Sequence, residues 1–284
     1  MRKSISTRIG RIFANLVALS VSLSSALPLL QYQMIREKPK DRLNVCKKKK
    51  NMKTIILTLG ILLSCNLVYG HTCDPQKVKC PIDKTTVEFC VSMSMTTFGS
   101  YYDFQSQGAI GNYYEELINS CPKCHYSGYL SDFGNEYSRK QKSEIKDFLK
   151  KYKKVEIDDA KECEIAGKIK EFINESNDDI ANCYLIGSYL VRHDSKQTEF
   201  RKQLQTNTLT FLKKAIENKE YADSTIIATT NYLIGEMYRR TSDFENAIRY
   251  FDLAISDVNK MDWVEEVAIK QKELAIKEDD DNEL

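Results

Sequence analysis

The sequence predicts a mainly α-helical protein that carries one small, cysteine-bearing β region, and three observations predict it. Cys121-Pro122-Lys123-Cys124 is answered upstream by Cys80-Pro81-Ile82-Asp83, the spacing of turns that present side chains to one metal ion. Beyond residue 135 apolar side chains recur at helical intervals. Within that region Tyr184-Leu185-Ile186-Gly187 returns unchanged as Tyr232-Leu233-Ile234-Gly235, the mark of an internal repeat.

Composition excludes one class of partner. The chain has 42 Lys and Arg against 40 Asp and Glu, a net charge of +2, so no overall field draws nucleic acid. Five prolines in 284 residues suit a helical globular chain and not a disordered one.

The amino-terminal region reads as targeting. Met52-Lys53-Thr54, an apolar run from Ile55 to Leu63 and a small-residue ending at Gly70 are the parts of a secretory signal peptide over 52–70. The run is shorter than the roughly 20 residues of a membrane-spanning helix. Cleavage after Gly70 is the preferred reading; cleavage before Cys65, with a lipid on that residue as membrane anchor, is the alternative. We therefore expect an exported protein, periplasmic, envelope-associated or secreted. Residues 1–51 hold a second signal-like unit, with Arg2, Lys3, Arg8 and Arg11 before an apolar stretch over 12–30. They read as an over-extended amino terminus, with a second membrane segment as the alternative.

Residues 71–135 carry Cys73, Cys80, Cys90, Cys121 and Cys124, and Thr85–Phe89 alternates as a strand does. Strand, turn and strand is the layout of a zinc-ribbon-like domain, too small to stand without a metal or a cross-link. Seven of the nine cysteines lie beyond Gly70, an odd number that cannot all pair as the oxidising exterior would favour. The expected ligands of a structural zinc are Cys80, Asp83, Cys121 and Cys124, with Cys73 and Cys90 as rivals of Asp83 for the fourth place and disulfides as the competing use of the thiols. A redox-active pair at Cys121 and Cys124 lacks the βαβ setting of such motifs. His125 is expected to pack beside the ligands, and His71 to be the first mature residue. Phe98–Phe104 and Gly108–Gly111 mix aromatics with turn formers, which suits irregular structure on a small sheet.

Residues 136–277 read as helices. Ile145, Phe148, Leu149 and Tyr152 share one face of a helix over 138–154, and further helices are expected over 156–173 and 262–277. The second repeat copy continues through Gly235, Tyr238, Ala247, Phe251 and Ala254, the small and large residues of a tetratricopeptide-like antiparallel helix pair, with Ser242-Asp243 as its turn. The first copy is looser, with a charged connection from Arg192 to Lys202 before Thr208, Leu212 and Ala215. Trp263 and the tyrosines at helical spacing are expected in the core, and 278–284 as a solvated acidic tail.

These parts resemble the bacterial domain-of-unknown-function family 2225, which joins a Cys-Pro-x-Cys ribbon to a helical region of tetratricopeptide type. The resemblance rests on Cys80–Asp83, Thr97-Phe98-Gly99, Asp103-Phe104, Cys121–Cys124 and the run Tyr232–Arg240, and covers nearly all of 75–260. It implies architecture and metal binding and carries no chemistry; Asp83 departs from a four-cysteine set.

No acid, base or nucleophile constellation stands out, so the expected function is a non-catalytic protein- or peptide-interaction module with a structural metal site. The alternative is an envelope thiol-disulfide or metal-handling protein using Cys121 and Cys124. Hydrolysis at an open zinc would need a base, for which only Glu88 and Asp103 lie near in sequence.

Overall fold

Alternation decides the first element. Val87 and Phe89 are buried while Thr86 and Glu88 face outward, so Thr86–Met95 (β2) folds back on His71–Lys79 (β1) as an antiparallel hairpin. The computed structural model describes residues 71–107 and 113–283. The signal peptide over 52–70, the extension over 1–51, the lipid at Cys65 and Gly108–Gly111 lie outside the described residues. Two short ladders follow: Gly99–Ser100 (β3) with Ser106–Gln107 (β4), and Ile118–Ser120 (β5) with Ser127–Tyr129 (β6).

Seven α-helices complete the described residues: Arg139–Leu149 (α1), Asp159–Phe172 (α2), Asn177–Leu190 (α3), Thr198–Glu217 (α4), Thr225–Arg240 (α5), Phe244–Ser256 (α6) and Asp262–Ile276 (α7). Their starts are written in capping residues. Ser138 and Gln141 exchange hydrogen bonds at α1, and Asp158, Ser176 and Asp243 accept from backbone amides at α2, α3 and α6. Their ends share a device. At α2, α4, α5 and α7 the chain turns through a left-handed residue, Asn174, Lys219, Ser242 or Glu278. The amide of the next residue closes the turn onto the helix, as in Glu175 N to Lys170 O and Asp279 N to Leu274 O, both 3.0 Å. The residue after each left-handed one is acidic, and two of these serve the start of a helix: Asp243 caps α6, which follows it, and Glu220 accepts from the Asn177 side chain and the Asp178 amide at the start of the earlier α3.

From α2 onward each helix packs on its successor, and the short connections make neighbours antiparallel. The expected helices over 156–173 and 262–277 and the turn at Ser242-Asp243 are present. Close approach is set by Gly235, where a Cβ would lie 2.8 Å from the Phe251 ring. Tyr184 stacks on Phe211 at 5.9 Å, and its copy Tyr232 packs on Phe251 at 5.9 Å.

One core joins the β region to the helices. Val87, Phe89, Tyr126 and Phe133 pack with Ile145, Leu149, Ile165 and Ile169 of α1 and α2, and the described residues lie within one compact unit. None of the described helices is long and apolar enough to cross a membrane.

Two expectations are corrected. The segment between the turns packs on the helices, and not on a small sheet, through Tyr102 and Phe104, while Phe98 is exposed: Phe104 meets Tyr232 and Trp263 at 5.5 and 5.7 Å, and Tyr232 Oη donates to Tyr102 O at 2.6 Å. Trp263, half-buried, packs against the core formed by Tyr232, Phe251 and their neighbours. The acidic tail is not simply solvated. Its backbone docks on buried arginines that need acceptors, and Asn282 is 8% exposed.

Candidate metal centre

The two cysteine turns have one plan. In the first, Cys80 N donates to Thr85 O at 2.8 Å and Lys84 N to Cys80 O at 3.0 Å. In the second, Cys121 N donates to Tyr126 O and His125 N to Cys121 O, both at 2.9 Å. Lys84 and His125 are left-handed, with φ of 66° and 61°. The turns are thus the same six-residue loop, closed by the β1–β2 and β5–β6 ladders, and Asp83 stands where the second loop has Cys124. His125 serves the loop through its backbone, and its carbonyl accepts from Ser127 Oγ at 3.1 Å. Below the second loop, Tyr126 is buried, and Lys170 of α2 pairs with Asp132 at 3.0 Å.

The loops bring together all four residues expected from the sequence. One ligand atom from each of Cys80, Asp83, Cys121 and Cys124 lies within 4.8 Å of every other. Cys80 Sγ and Cys124 Sγ are 3.6 Å apart, and Cys121 Sγ is 3.5 Å from Asp83 Oδ1. A tetrahedron with ligand atoms about 2.3 Å from its centre has edges of about 3.8 Å, so the spacing fits a four-coordinate ion. The decisive atom is Asp83 Oδ2. Oδ1 accepts the Thr85 amide at 3.0 Å, whereas Oδ2 is buried and has no hydrogen-bond partner. An unpaired buried carboxylate oxygen is costly unless a cation meets it.

The thiols sense one another. Hydrogen bonds from Cys124 and Cys80 hold the Cys121 thiol far below its ordinary value. The same contacts raise their donors, with Cys80 pushed up to about 12 chiefly by its bond to Cys121, and Cys124 raised chiefly by its own. Three sulfurs and a carboxylate within 4.8 Å of one another are a donor set which a divalent cation fits.

Other expected residues fall elsewhere. Cys73 and Cys90 are joined in a disulfide across the β1–β2 hairpin, with Cα atoms 5.2 Å apart, which removes them as rivals of Asp83. They are offset by two positions in the ladder, Cys73 facing Ser92 and Pro75 facing Cys90. Spacing along the sequence could not show that diagonal. Glu88 pairs with Lys77 at 2.6 Å on the outer face of the hairpin. Asp103 is buried against Arg192 and Arg240. Each has a structural partner of its own.

That second cluster went unread in the sequence. Glu236, Arg239 and Arg240 are fully buried at the end of α5, with Glu236 Oε1 2.8 Å from Arg239 and 2.5 Å from Arg240. Burial opposes ionisation of Glu236, but the two guanidinium groups outweigh it and hold the carboxyl below its ordinary value. The charged run Glu236–Arg240 inside an apolar helix was the available signal.

No curated protein and no solved structure matches the chain. The span that does match a known family takes in both loops and the helices: a model described as an uncharacterized protein conserved in bacteria (DUF2225) covers residues 75–275, and the chain belongs to that family.

Proposed function

We propose that this protein is an exported, non-catalytic interaction module whose two cysteine loops are stapled by a structural zinc ion, with a stacked helical array of tetratricopeptide type as the surface for a protein or peptide partner. One observation carries the metal part: three sulfurs and a carboxylate converge from two like-built loops, and the carboxylate keeps one buried oxygen without a partner. Three thiolates favour a soft or borderline cation such as zinc over calcium or magnesium. Bound there, zinc would supply cross-linking and no reaction, since four protein ligands leave no open position. The interaction part rests on the array of antiparallel helix pairs and on Glu88 and Asp103 being committed to structural partners away from a catalytic role. Export rests on the leader over 52–70.

Metal analysis of the purified chain tests the reading. The expected result is one zinc per chain, absent from Cys121→Ser and Cys124→Ser. A metal-free protein whose Cys121 and Cys124 cycle reversibly between thiol and disulfide without loss of fold overturns it and supports the envelope thiol-disulfide alternative. Amino-terminal sequencing of the natural protein tests export, with His71 expected as the first residue.

A further inference from the structure

The last residues of the chain sit where α3 and α5 end and α4 begins. Arg239 donates to Asp279 O at 2.8 Å and Asp281 O at 2.9 Å, and Arg240 to Asn282 O at 2.9 Å, which also accepts from Arg192. One side chain is read as well: Gln205 Nε2 donates to Asn282 Oδ1 at 2.7 Å.

We propose that this is a peptide-binding site which the chain's own tail occupies in cis, and that its ligand in trans is an extended acidic peptide with an asparagine where Asn282 sits. The proposal rests on the interaction reading and names the kind of partner. Four features carry it. The arginines grip backbone carbonyls, which any extended peptide offers, so recognition does not require a covalent link to α7. At the edge of the site Lys202 Nζ lies 3.7 Å from the carboxylate of Asp280, a cation that suits an acidic ligand. The tail's own carboxylates stay at the rim, Asp280 with Ser242 and Lys202 and Glu283 with His193.

The tail is also an incomplete occupant. Gln205 is 2% exposed, yet its Oε1 has no hydrogen-bond partner with the tail in place, and neither has Arg201 Nε. A ligand that brings a donor to Gln205 Oε1 would satisfy what the tail leaves open. Finally, the tail is held by polar contacts alone. Residues 279–283 contain no apolar side chain, and they join α7 through Glu278, a non-glycine residue at φ 56°.

The test uses the full chain and a fluorescein-labelled synthetic peptide of residues 277–284. Asn282→Ala in the protein removes the tail's contact with Gln205 and leaves every arginine in place. The labelled peptide is expected to bind the Asn282→Ala chain at least tenfold tighter than the unaltered chain, and to lose that gain when its own asparagine is replaced by alanine. Hydrogen exchange in the unaltered chain should show amides of 279–283 opening at least 100-fold faster than those of α5. Equal binding to both chains, no binding to Asn282→Ala at millimolar peptide, or loss of helical dichroism in that variant overturns the proposal. So does exchange of the tail only together with α5, which would make it a fixed part of the core. A partner whose binding is indifferent to excess tail peptide overturns this site and leaves the interaction reading standing.

Discussion

Asp83 and Cys124 occupy the same position in two loops closed by the same pair of backbone hydrogen bonds, each three residues after a cysteine and one before a left-handed residue. The protein therefore offers an oxygen where its own second loop offers a sulfur, and the site is asymmetric by one atom type.

That asymmetry predicts the outcome of exchanging the residue. Asp83→Cys should keep one zinc per chain and hold it more tightly against a chelator, because the loop already aims this position at the other sulfurs. Asp83→Ala should lose more than about 100-fold in zinc affinity, beyond the ~10- to 100-fold typical of an outer-shell partner. Chelator competition reads both. An Asp83→Ala chain with unchanged affinity would remove Asp83 from the ligand set.

The disulfide and the metal loops should be separable. Replacing Cys73 and Cys90 together by serine should cost at most about 3 kcal/mol, the scale for closing a loop of this length, and leave the zinc content unchanged. Thermal unfolding and metal analysis of the same sample check it. Loss of the metal in the double variant would show that the hairpin cross-link shapes the first loop.

Gly235 should tolerate no side chain. Gly235→Ala places a methyl group 2.8 Å from the buried Phe251 ring, an overpacking that costs about 1–3 kcal/mol against a helix-propensity gain of up to about 1 kcal/mol. A lower unfolding midpoint is expected. Gly134→Ala, with no heavy atom within 4 Å of its Cβ, serves as the control and should change stability by less than about 0.5 kcal/mol.

Glu236 should govern the acid limb of stability. Its carboxyl is held below the ordinary value by Arg240 and Arg239 against the pull of burial. A depressed carboxyl contributes stability above the unfolded-state value of about 4.3 and loses it as pH falls through the lower folded-state value. Glu236→Gln should therefore be destabilised at pH 7, by about 3–5 kcal/mol if it behaves as other broken buried pairs, and should lose less further stability between pH 5 and 3 than the unaltered chain. Denaturant titrations across that range measure both limbs. Parallel curves for the two chains would exclude Glu236 as the titrating group.

Much of this architecture was legible because it is local. The helix over 159–172 announces itself by Asp158 at its cap and Ala160, Ile165 and Ile169 at helical spacing, and Val87 and Phe89 announce the inner face of β2. The four candidate ligands were legible for the same reason, since each pair lies within one loop whose turn is set by three or four consecutive residues. What was not legible depends on which distant residues share a burial site. Cys73 and Cys90 look like spare ligands until the register of the hairpin brings their Cα atoms to 5.2 Å.

The sequence by itself determined the helices, their caps, the repeat and the two cysteine loops, because hydrophobic period, capping chemistry and turn residues act over a few neighbours along the chain. Only the tertiary structure decided that the Asp83 carboxylate joins three sulfurs and keeps one buried oxygen without a partner, that Asp103 serves Arg192 and Arg240, and that the acidic tail returns to the core. The physical reason is desolvation. Once Arg192, Arg239 and Arg240 are buried, acceptors must come from wherever the fold brings them, and here they come from Asp103, Glu236 and the carbonyls of the last residues.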